Sequence, residues 1–372
     1  MHGLEEVLAQ EVEDLGGTNI EIKKRALNCE GDLAFIYRAN LCLRTALKVM
    51  IPVYSFKAKN EKELYDQVMK HDWSLYLGEH DNMSIDHTIN SEYFTHSQYA
   101  SLKVKDAMVD QFRNKTGYRP TIDVKYPDVK FDVYAYNELF TISLDSSGEP
   151  LNRRGYRDQG HRAPLNEVLA AGMLKLSGWT PDRPLLDPMC GTGTILVEAA
   201  MIAANIPVQT LRKEFGFKRW RNFQPMLWSR VQSEASAKIK TADFKIQGGD
   251  TDAKAVRMVN QSLKLLRMNR KVTVTQVDFL KATPRYYRGV IVTNPPYGER
   301  LEKDDINAFY KEISDVLKEK YTGYDAWFLS SNKEALTHLK LSPSKKIKLF
   351  NGKLDCSFEK YELYEGSQEE KE

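Results

Sequence analysis

"RPLLDPMCGTGTILVEAAMIAA", residues 183–204, joins a short apolar run, a carboxylate, a turn with two glycines and a second apolar run. The first run is bounded by prolines and is too short for a helix, so it suits a buried strand. In the second, Ile195, Ala199 and Ile202 recur at intervals of four and three, which predicts an α-helix. Between them Gly191 and Gly193 let the backbone bend sharply and come close to a ligand. A strand that ends in such a turn and feeds a helix is the opening unit of a parallel sheet with helices on both faces.

The alternation continues downstream from there. "FKIQGGD" (244–250) reads as a second strand, followed by a helix with Val256, Val259, Leu263 and Leu266 on one face. "KVTVTQVD" (271–278) and "GVIVTN" (289–294) are a third and a fourth. A periodic helix then carries Ile306, Phe309, Tyr310, Ile313, Val316 and Leu317. "YDAWFLSS" (324–331) and "KKIKLFNGKLDCSFEKYEL" (345–363) supply the remaining strands. The expected fold is α/β, a doubly wound Rossmann-like domain, in which ligands bind outside the carboxyl ends of the strands.

Four strand ends carry suitable chemistry. Asp187 ends the first strand, where a carboxylate repels a pyrophosphate but accepts hydrogen bonds from an ammonium, such as the amino-acid end of S-adenosylmethionine. Pro188, Met189, Cys190, Gly191, Thr192 and Gly193 form the turn, and the helix after it offers unsatisfied N–H groups. Leu196 stands where a dinucleotide fingerprint has its third glycine, and no phosphate-loop lysine follows, which disfavours a dinucleotide or a nucleoside triphosphate.

Asp250 and Thr251 follow the second strand, where an acidic side chain can take the two hydroxyls of an adenosine ribose. Helix capping is the competing use, open also to Thr251 and Asp252. Asp278 and Phe279 end the third strand. The carboxylate there suits an adenine amine and the aromatic or its backbone suits the ring; a turn aspartate and a core phenylalanine are the plainer alternative.

The fourth end is "TNPPYGERL" (293–301). An exocyclic amine on a base is a poor nucleophile because its lone pair is delocalised. If the Asn294 side-chain carbonyl and the Pro295 backbone carbonyl both accept from that amine, they hold it turned toward tetrahedral geometry. Pro295 and Pro296 fix the carbonyl directions, and Tyr297 can stack on the base. This is catalysis by orientation and placed dipoles. By itself the motif leaves adenine, guanine and a glutamine amide open.

The N-terminal part differs in character. Residues 1–150 mix helical stripes at Leu4–Leu15, Leu64–Met69 and Leu102–Phe112 with the alternating run "IDVKYPDVKFDVYAYNELFTISLD" (122–145), which indicates an α+β region. The chain enters its first amphipathic helix almost at once, so a strand preceding the present sequence is expected. Periodicity stops in "SSGEPLNRRGYRDQGHRAP" (146–164), and residues 151–164 read as a basic interdomain linker. Its Arg153, Arg154 and Arg157 are candidate RNA contacts, with a solvated linker as the alternative. A methyl-donor-binding domain of residues 165–372 follows, with an insertion at about 205–241. There "LRKEFGFKRWRNF" (211–223) interleaves basic and aromatic residues, and Arg219 and Arg221 are the better RNA candidates. Phe215 and Phe217 equally suit docking of the insertion.

Composition sets outer limits. At 372 residues the chain exceeds a typical domain of roughly 100–200 residues, and a formal charge of +3 neither demands nor forbids nucleic acid. Four scattered cysteines without ligand spacing argue against a disulfide scaffold or a metal site. No apolar run reaches the roughly 20 residues of a membrane span, so a cytoplasmic protein, a monomer without metal, is expected.

"DPMCGTG", "GGDTD", "VDF" and "NPPYGERL" resemble motifs of class I S-adenosylmethionine-dependent methyltransferases of the amino-methylating type. "DSSGEPLNRRGYR" (145–157) with "APLNEVLAAGML" (163–174) resembles the junction between a THUMP domain and its methyltransferase in the family that methylates guanine N2 of bacterial 23S ribosomal RNA. "RPTIDVKYPDVKFDVY" (119–134) resembles the end of the THUMP domain. The resemblance implies a partial ferredoxin-like plus THUMP RNA-binding region over 1–150, S-adenosylmethionine as cofactor, and 23S RNA or a large-subunit precursor as partner. It also implies a flipped guanine presented to the catalytic domain. Arg162 and Pro164, just before the first helix of that domain, are expected to border the methionine carboxylate. Two other readings stay open: another amino methylation (tRNA guanine, DNA adenine, protein glutamine), and an RNA-binding assembly factor that keeps the fold without the activity.

Overall fold

A computed structural model describes residues 1–157, 165–241, 243–296 and 303–364. The chain forms two compact units. One comprises Met1–Leu47, Asn152–Leu211 and Val231–Glu372, the other Lys48–Leu151 and Arg212–Arg230.

The chain opens with α1 (Glu5–Asp14), the antiparallel pair β1 (Thr18–Lys23) and β2 (Ala26–Glu30), and α2 (Leu33–Cys42). Then come β3 (Met50–Lys57), α3 (Glu61–Lys70), β4 (Asn82–Asn90), α4 (Ser97–Thr116), β5 (Thr121–Ile122), β6 (Val129–Tyr136) and β7 (Leu139–Asp145). These strands make one sheet in the order β3-β7-β6-β4-β5. The alternation read over 122–145 becomes the antiparallel β6–β7 pair, with Val129, Phe131, Val133 and Ala135 buried while Tyr134 and Tyr136 face outward. Leu64 and Val68 of α3 and Val104, Met108 and Phe112 of α4 are buried in the same unit.

The remaining elements are α5 (Glu167–Leu176), β8 (Leu185–Asp187), α6 (Thr194–Ala203), α7 (Pro225–Ala237), β9 (Ile246–Asp250), α8 (Ala253–Leu265), β10 (Val272–Gln276), β11 (Gly289–Thr293), α9 (Lys303–Lys320), β12 (Tyr324–Ser330), α10 (Lys333–Thr337), β13 (Lys345–Asn351) and β14 (Leu354–Glu362). Their seven strands run in the order β10-β9-β8-β11-β12-β14-β13. The first five are parallel, and β14 joins β12 antiparallel and closes a hairpin with β13. The doubly wound fold expected from the alternation is present. Strand order reverses between β8 and β11, so a crevice opens outside their carboxyl ends.

The division of the chain departs from the expected boundaries at two places, each with a physical cause. Met1–Leu47 clusters with the seven-stranded unit. Leu4 is fully buried among Val168, Leu169 and Met173, and full burial of a leucine stabilises by roughly 1.5–3 kcal/mol. The buried Arg44 guanidinium donates to the carbonyls of Met201 and Ile206, 3.3 and 2.9 Å away. Conversely, Arg212–Arg230 clusters with the five-stranded unit: Arg212 donates to the carbonyls of Ser147, Glu149 and Pro150, and Phe215 and Phe217 stack at 5.2 Å, each edge-on to Trp228.

Candidate active site

Parallel register puts three carboxylates on one rim. Asp187 ends β8, Asp250 ends β9, and Asp278 follows β10 by two residues. Asn294 comes directly after β11, the neighbour of β8 on the other side.

Asp187 is 1% exposed, and its carboxylate accepts a 2.8 Å hydrogen bond from the Thr293 hydroxyl. Burial pushes its pKa up to about 7; the nearby Asp250 charge pushes the same way, while Thr293 and the Met189 N–H hold it back. A carboxyl in this state is one that a cation would convert to the ionised form.

Asp250 braces the glycine turn. One of its oxygens accepts from the Gly191 N–H at 2.8 Å and the other from Asp252 N at 2.9 Å, while Cys190 N donates to the Gly249 carbonyl. Gly191 has φ +50°, and a Cβ on it would meet nothing within 4 Å, so this side of the turn is open. Gly193 has φ +77°, and its Cβ would lie 2.5 Å from Val259 of α8, so here glycine serves helix packing. Pro188 and Cys190 are buried, and Met189 and Thr192 are half-buried. Burial raises the Cys190 thiol far above its usual range, which keeps it an unreactive packing group.

The cap of α8 is Asp252, whose carboxylate accepts from Lys254 N at 2.7 Å, which leaves Asp250 free of that task. Thr251 is exposed, and its carbonyl accepts from the Gln276 side chain. Asp278 caps a short 3-10 turn through Leu280 N at 3.0 Å. The Phe279 ring is 3% exposed and packs 5.4 Å from Tyr321 in the core. Of the two uses open to Phe279, the ring takes the core one, which leaves its backbone for the ligand.

The Asn294 side-chain oxygen is buried and has no hydrogen-bond partner among the described residues. Pro295 is buried and Pro296 exposed. The Pro296 carbonyl lies 3.4 Å from the hydroxyl of Tyr310, a fully buried side chain of α9. Tyr297, Arg162 and Pro164 lie outside the described residues.

The basic candidates separate sharply. Arg154 is 1% exposed; its guanidinium binds Glu198 at 3.3 Å and the Arg44 carbonyl at 2.5 Å. Tyr156 donates to the same Glu198 carboxylate. Arg157 donates to the Leu165 carbonyl and the Thr194 hydroxyl and pairs with Glu167 at 3.0 Å. Arg154 is therefore corrected from an RNA contact to an internal tie, because it is buried and its donors are turned inward onto a carboxylate and a carbonyl, while the part-exposed Arg157 spends its terminal donors on a carbonyl, a hydroxyl and a carboxylate. Arg153 is exposed. Arg219 and Arg221 are exposed too, each steadied by one bond to a backbone carbonyl, of Pro127 and Ser74 respectively.

Sequence reasoning missed Thr293, Arg44 and Glu198. Glu198 had a signal, being a lone carboxylate in an apolar helix; such a charge is buried only with a partner. Arg44 had none, since its partners come from distant segments.

The family model for the RMKL-like methyltransferase domain matches residues 154–360. The chain belongs to the RMKL-like methyltransferase family. Within this family the chain also matches a THUMP domain over residues 58–145 and an RlmL ferredoxin-like domain over 1–50, so the expected class of THUMP-bearing class I methyltransferases is borne out. It is 34% identical to slr0064 of Synechocystis, provisionally named an RNA methyltransferase, over 97% of this chain and 95% of that one. It is also 34% identical to the ribosomal RNA large subunit methyltransferase K/L of Shewanella sp. ANA-3 over 97% of its own length, but spans only 52% of that relative. Among solved structures, SMU.472, a provisionally assigned methyltransferase in complex with SAH, superposes with a TM-score of 0.89 at 26% identity, covering 98% and 97% of the two chains. A possible methylase from Clostridium difficile 630 gives 0.90 at 30%, covering 99% and 97%.

S-adenosylmethionine is the methyl donor of this family, and the rim suits it. The open side of Gly191, the buried Asp187 carboxyl and the Asn294 oxygen, without a partner among the described residues, match a ligand with a cationic end beside an amine-bearing acceptor. Among the described residues no group of His, Cys, Asp and Glu is arranged to hold a metal, and no helix is long and apolar enough to cross a membrane.

Proposed function

We propose that this protein methylates the exocyclic N2 amine of a guanine in 23S ribosomal RNA. The buried side-chain oxygen of Asn294, which has no partner among the described residues, carries the reading, because a desolvated acceptor without a donor costs roughly 1–3 kcal/mol unless a ligand supplies one. A base amine supplies that donor.

S-adenosylmethionine, when bound, supplies a methyl group already activated on a sulfonium. Asp187 would hold the ammonium end, the Cys190–Gly193 turn would flank the ligand, Asp250 would accept from the ribose hydroxyls and Asp278 from the adenine amine. Pro188, Met189 and Thr192 shape the pocket wall beside Thr251 and the Phe279 backbone. Asn294 and the Pro295 carbonyl accept the two hydrogens of the target amine and turn its lone pair outward, Pro296 keeps that turn rigid, and Tyr297 stacks on the base. The residues do this by placement, without a strong base.

Ribosomal RNA is favoured over DNA and protein as the substrate by the THUMP match and by the name of the Shewanella relatives, and guanine N2 follows the motif resemblance at residues 145–157 and 163–174. The exposed Arg153, Arg219 and Arg221 meet phosphates in this reading. Mapping N2-methylguanine in ribosomal RNA from cells with and without this protein tests the reading. One guanine should lose its methyl group; unchanged ribosomal RNA with a lost methyl in tRNA or DNA would overturn it.

A further inference from the structure

The five-stranded sheet leaves part of one face bare. Its other face holds the core, with Phe56, Phe131, Val133, Ala135 and Phe140 buried. On the bare face the register makes two rows across four strands. Tyr136 of β6 lies between Leu139 of β7 and Asn90 of β4, with Lys57 of β3 beyond Leu139. One step down, Tyr134 lies between Thr141 and Thr88, with Ser55 beyond Thr141 and bonded to it at 3.0 Å.

Tyr134 and Tyr136 are 51% and 59% exposed, although a large ring on a sheet usually finds a cover. Two residues apart on one strand, they stand about 7 Å from each other on the same side, a spacing that lets neighbouring bases of an extended strand each meet a ring. Beyond the same sheet edge Lys59 holds its ammonium 5.7 Å from the ring of the exposed Tyr93.

The charges favour a polyanion. Lys57 is 74% exposed, and among the described residues its acidic neighbour is Glu138 at 3.9 Å. The acids lower on the face, Asp86 and Asp145, are already paired with Lys48 and Lys130, and burial raises the pKa of Asp132, which disfavours its charge. Flat rings, hydroxyl and amide groups beside them and lysines at the edge are what single-stranded nucleic acid requires. The apolar groups on this face, two tyrosines and one leucine, are too few for the apolar core of a standard protein interface, which takes about 20–30 residues a side.

We propose that Tyr134 and Tyr136 form a stacking platform on which single-stranded RNA lies across this sheet, with Lys57 and Lys59 at its phosphates. The platform rests on the reading of RNA as substrate and adds to it a second contact surface, on the unit that does not carry Asn294.

The test measures binding of a short, fluorescein-labelled single-stranded RNA of mixed sequence to the full chain by polarisation over a range of salt. Tyr134→Ala with Tyr136→Ala should weaken binding by about tenfold to a hundredfold or more and leave the salt slope unchanged, since no cation is removed. The corresponding pair of Tyr→Phe changes should bind as the parent does. Lys57→Ala should lower the slope by about one. Tyr136→Ala alone serves if the double variant does not fold. Parent-like binding by the alanine variants overturns the platform while the RNA reading stands; equal loss in the phenylalanine variant overturns stacking. A change of oligomeric state with RNA binding intact assigns the face to a second copy of the chain and overturns the platform. A parent chain that binds no RNA overturns both.

Discussion

The Thr293 hydroxyl donates a 2.8 Å hydrogen bond to the Asp187 carboxylate across the neighbouring strands β11 and β8. The bond links the turn beside Gly191 to the segment that carries Asn294, at the point where strand order reverses. Hydrogen bonds to charged groups contribute roughly 1.5–3 kcal/mol. Thr293→Val should therefore raise the Asp187 pKa further and weaken binding of S-adenosylmethionine about tenfold at neutral pH. Calorimetric titration measures this, and an unchanged affinity would separate Thr293 from the site.

Asp187 also sets a pH dependence. Its folded pKa of about 7 lies above the ordinary value of 3.8, so its contribution to stability is present below about pH 4 and is lost as pH rises toward 7. Asp187→Asn should flatten that part of the stability curve in denaturant titrations without ligand. Ligand affinity should run the other way. If the ionised carboxylate holds the ammonium, affinity falls by up to about tenfold per pH unit below 7, and a flat profile in the parent would argue against that contact.

Asn294→Ala should abolish methyl transfer while leaving the affinity for S-adenosylmethionine within about threefold. The change removes an acceptor for the base amine and leaves the glycine turn intact. Single-turnover assays beside calorimetry separate the two effects. Turnover at the parent rate would remove Asn294 from the mechanism.

Asp250→Ala removes the acceptor for the Gly191 N–H as well as the candidate ribose contact. Binding of S-adenosylmethionine should weaken by roughly 10- to 100-fold, since two charge-assisted hydrogen bonds are involved. A truncated ligand lacking the ribose hydroxyls distinguishes the two roles. If the variant loses affinity equally for both ligands, Asp250 acts through the turn alone.

Arg154→Met should destabilise the fold by about 3–5 kcal/mol, because Glu198 is left charged and buried without that partner. Glu198→Gln in the same chain should restore part of the loss. By contrast, Arg219→Ala with Arg221→Ala should leave stability nearly unchanged and reduce both RNA affinity and its salt slope. Chemical denaturation and salt titration together check both statements.

Local pattern was enough for the α/β half. Each strand there is a short apolar run with a breaker behind it, each helix shows an apolar stripe, and the parallel rule then puts Asp187, Asp250, Asp278 and Asn294 on one rim, where register does bring them. The chemistry of these residue types at strand ends was therefore readable one segment at a time. Three other matters depend on groups far apart in the chain. The arginines of 153–157 look alike in sequence, yet Arg154 is internal because Glu198 and the Arg44 carbonyl meet it in the fold. Phe279 is open in sequence to a stacking or a core role, and the contact with Tyr321 decides for the core. Residues 1–47 read as part of the RNA-binding half, yet Leu4 and Arg44 are buried with the seven-stranded unit. Periodicity carries information about which face of an element is apolar, but not about which other element covers it, and a charge is placed by partners that only folding brings near.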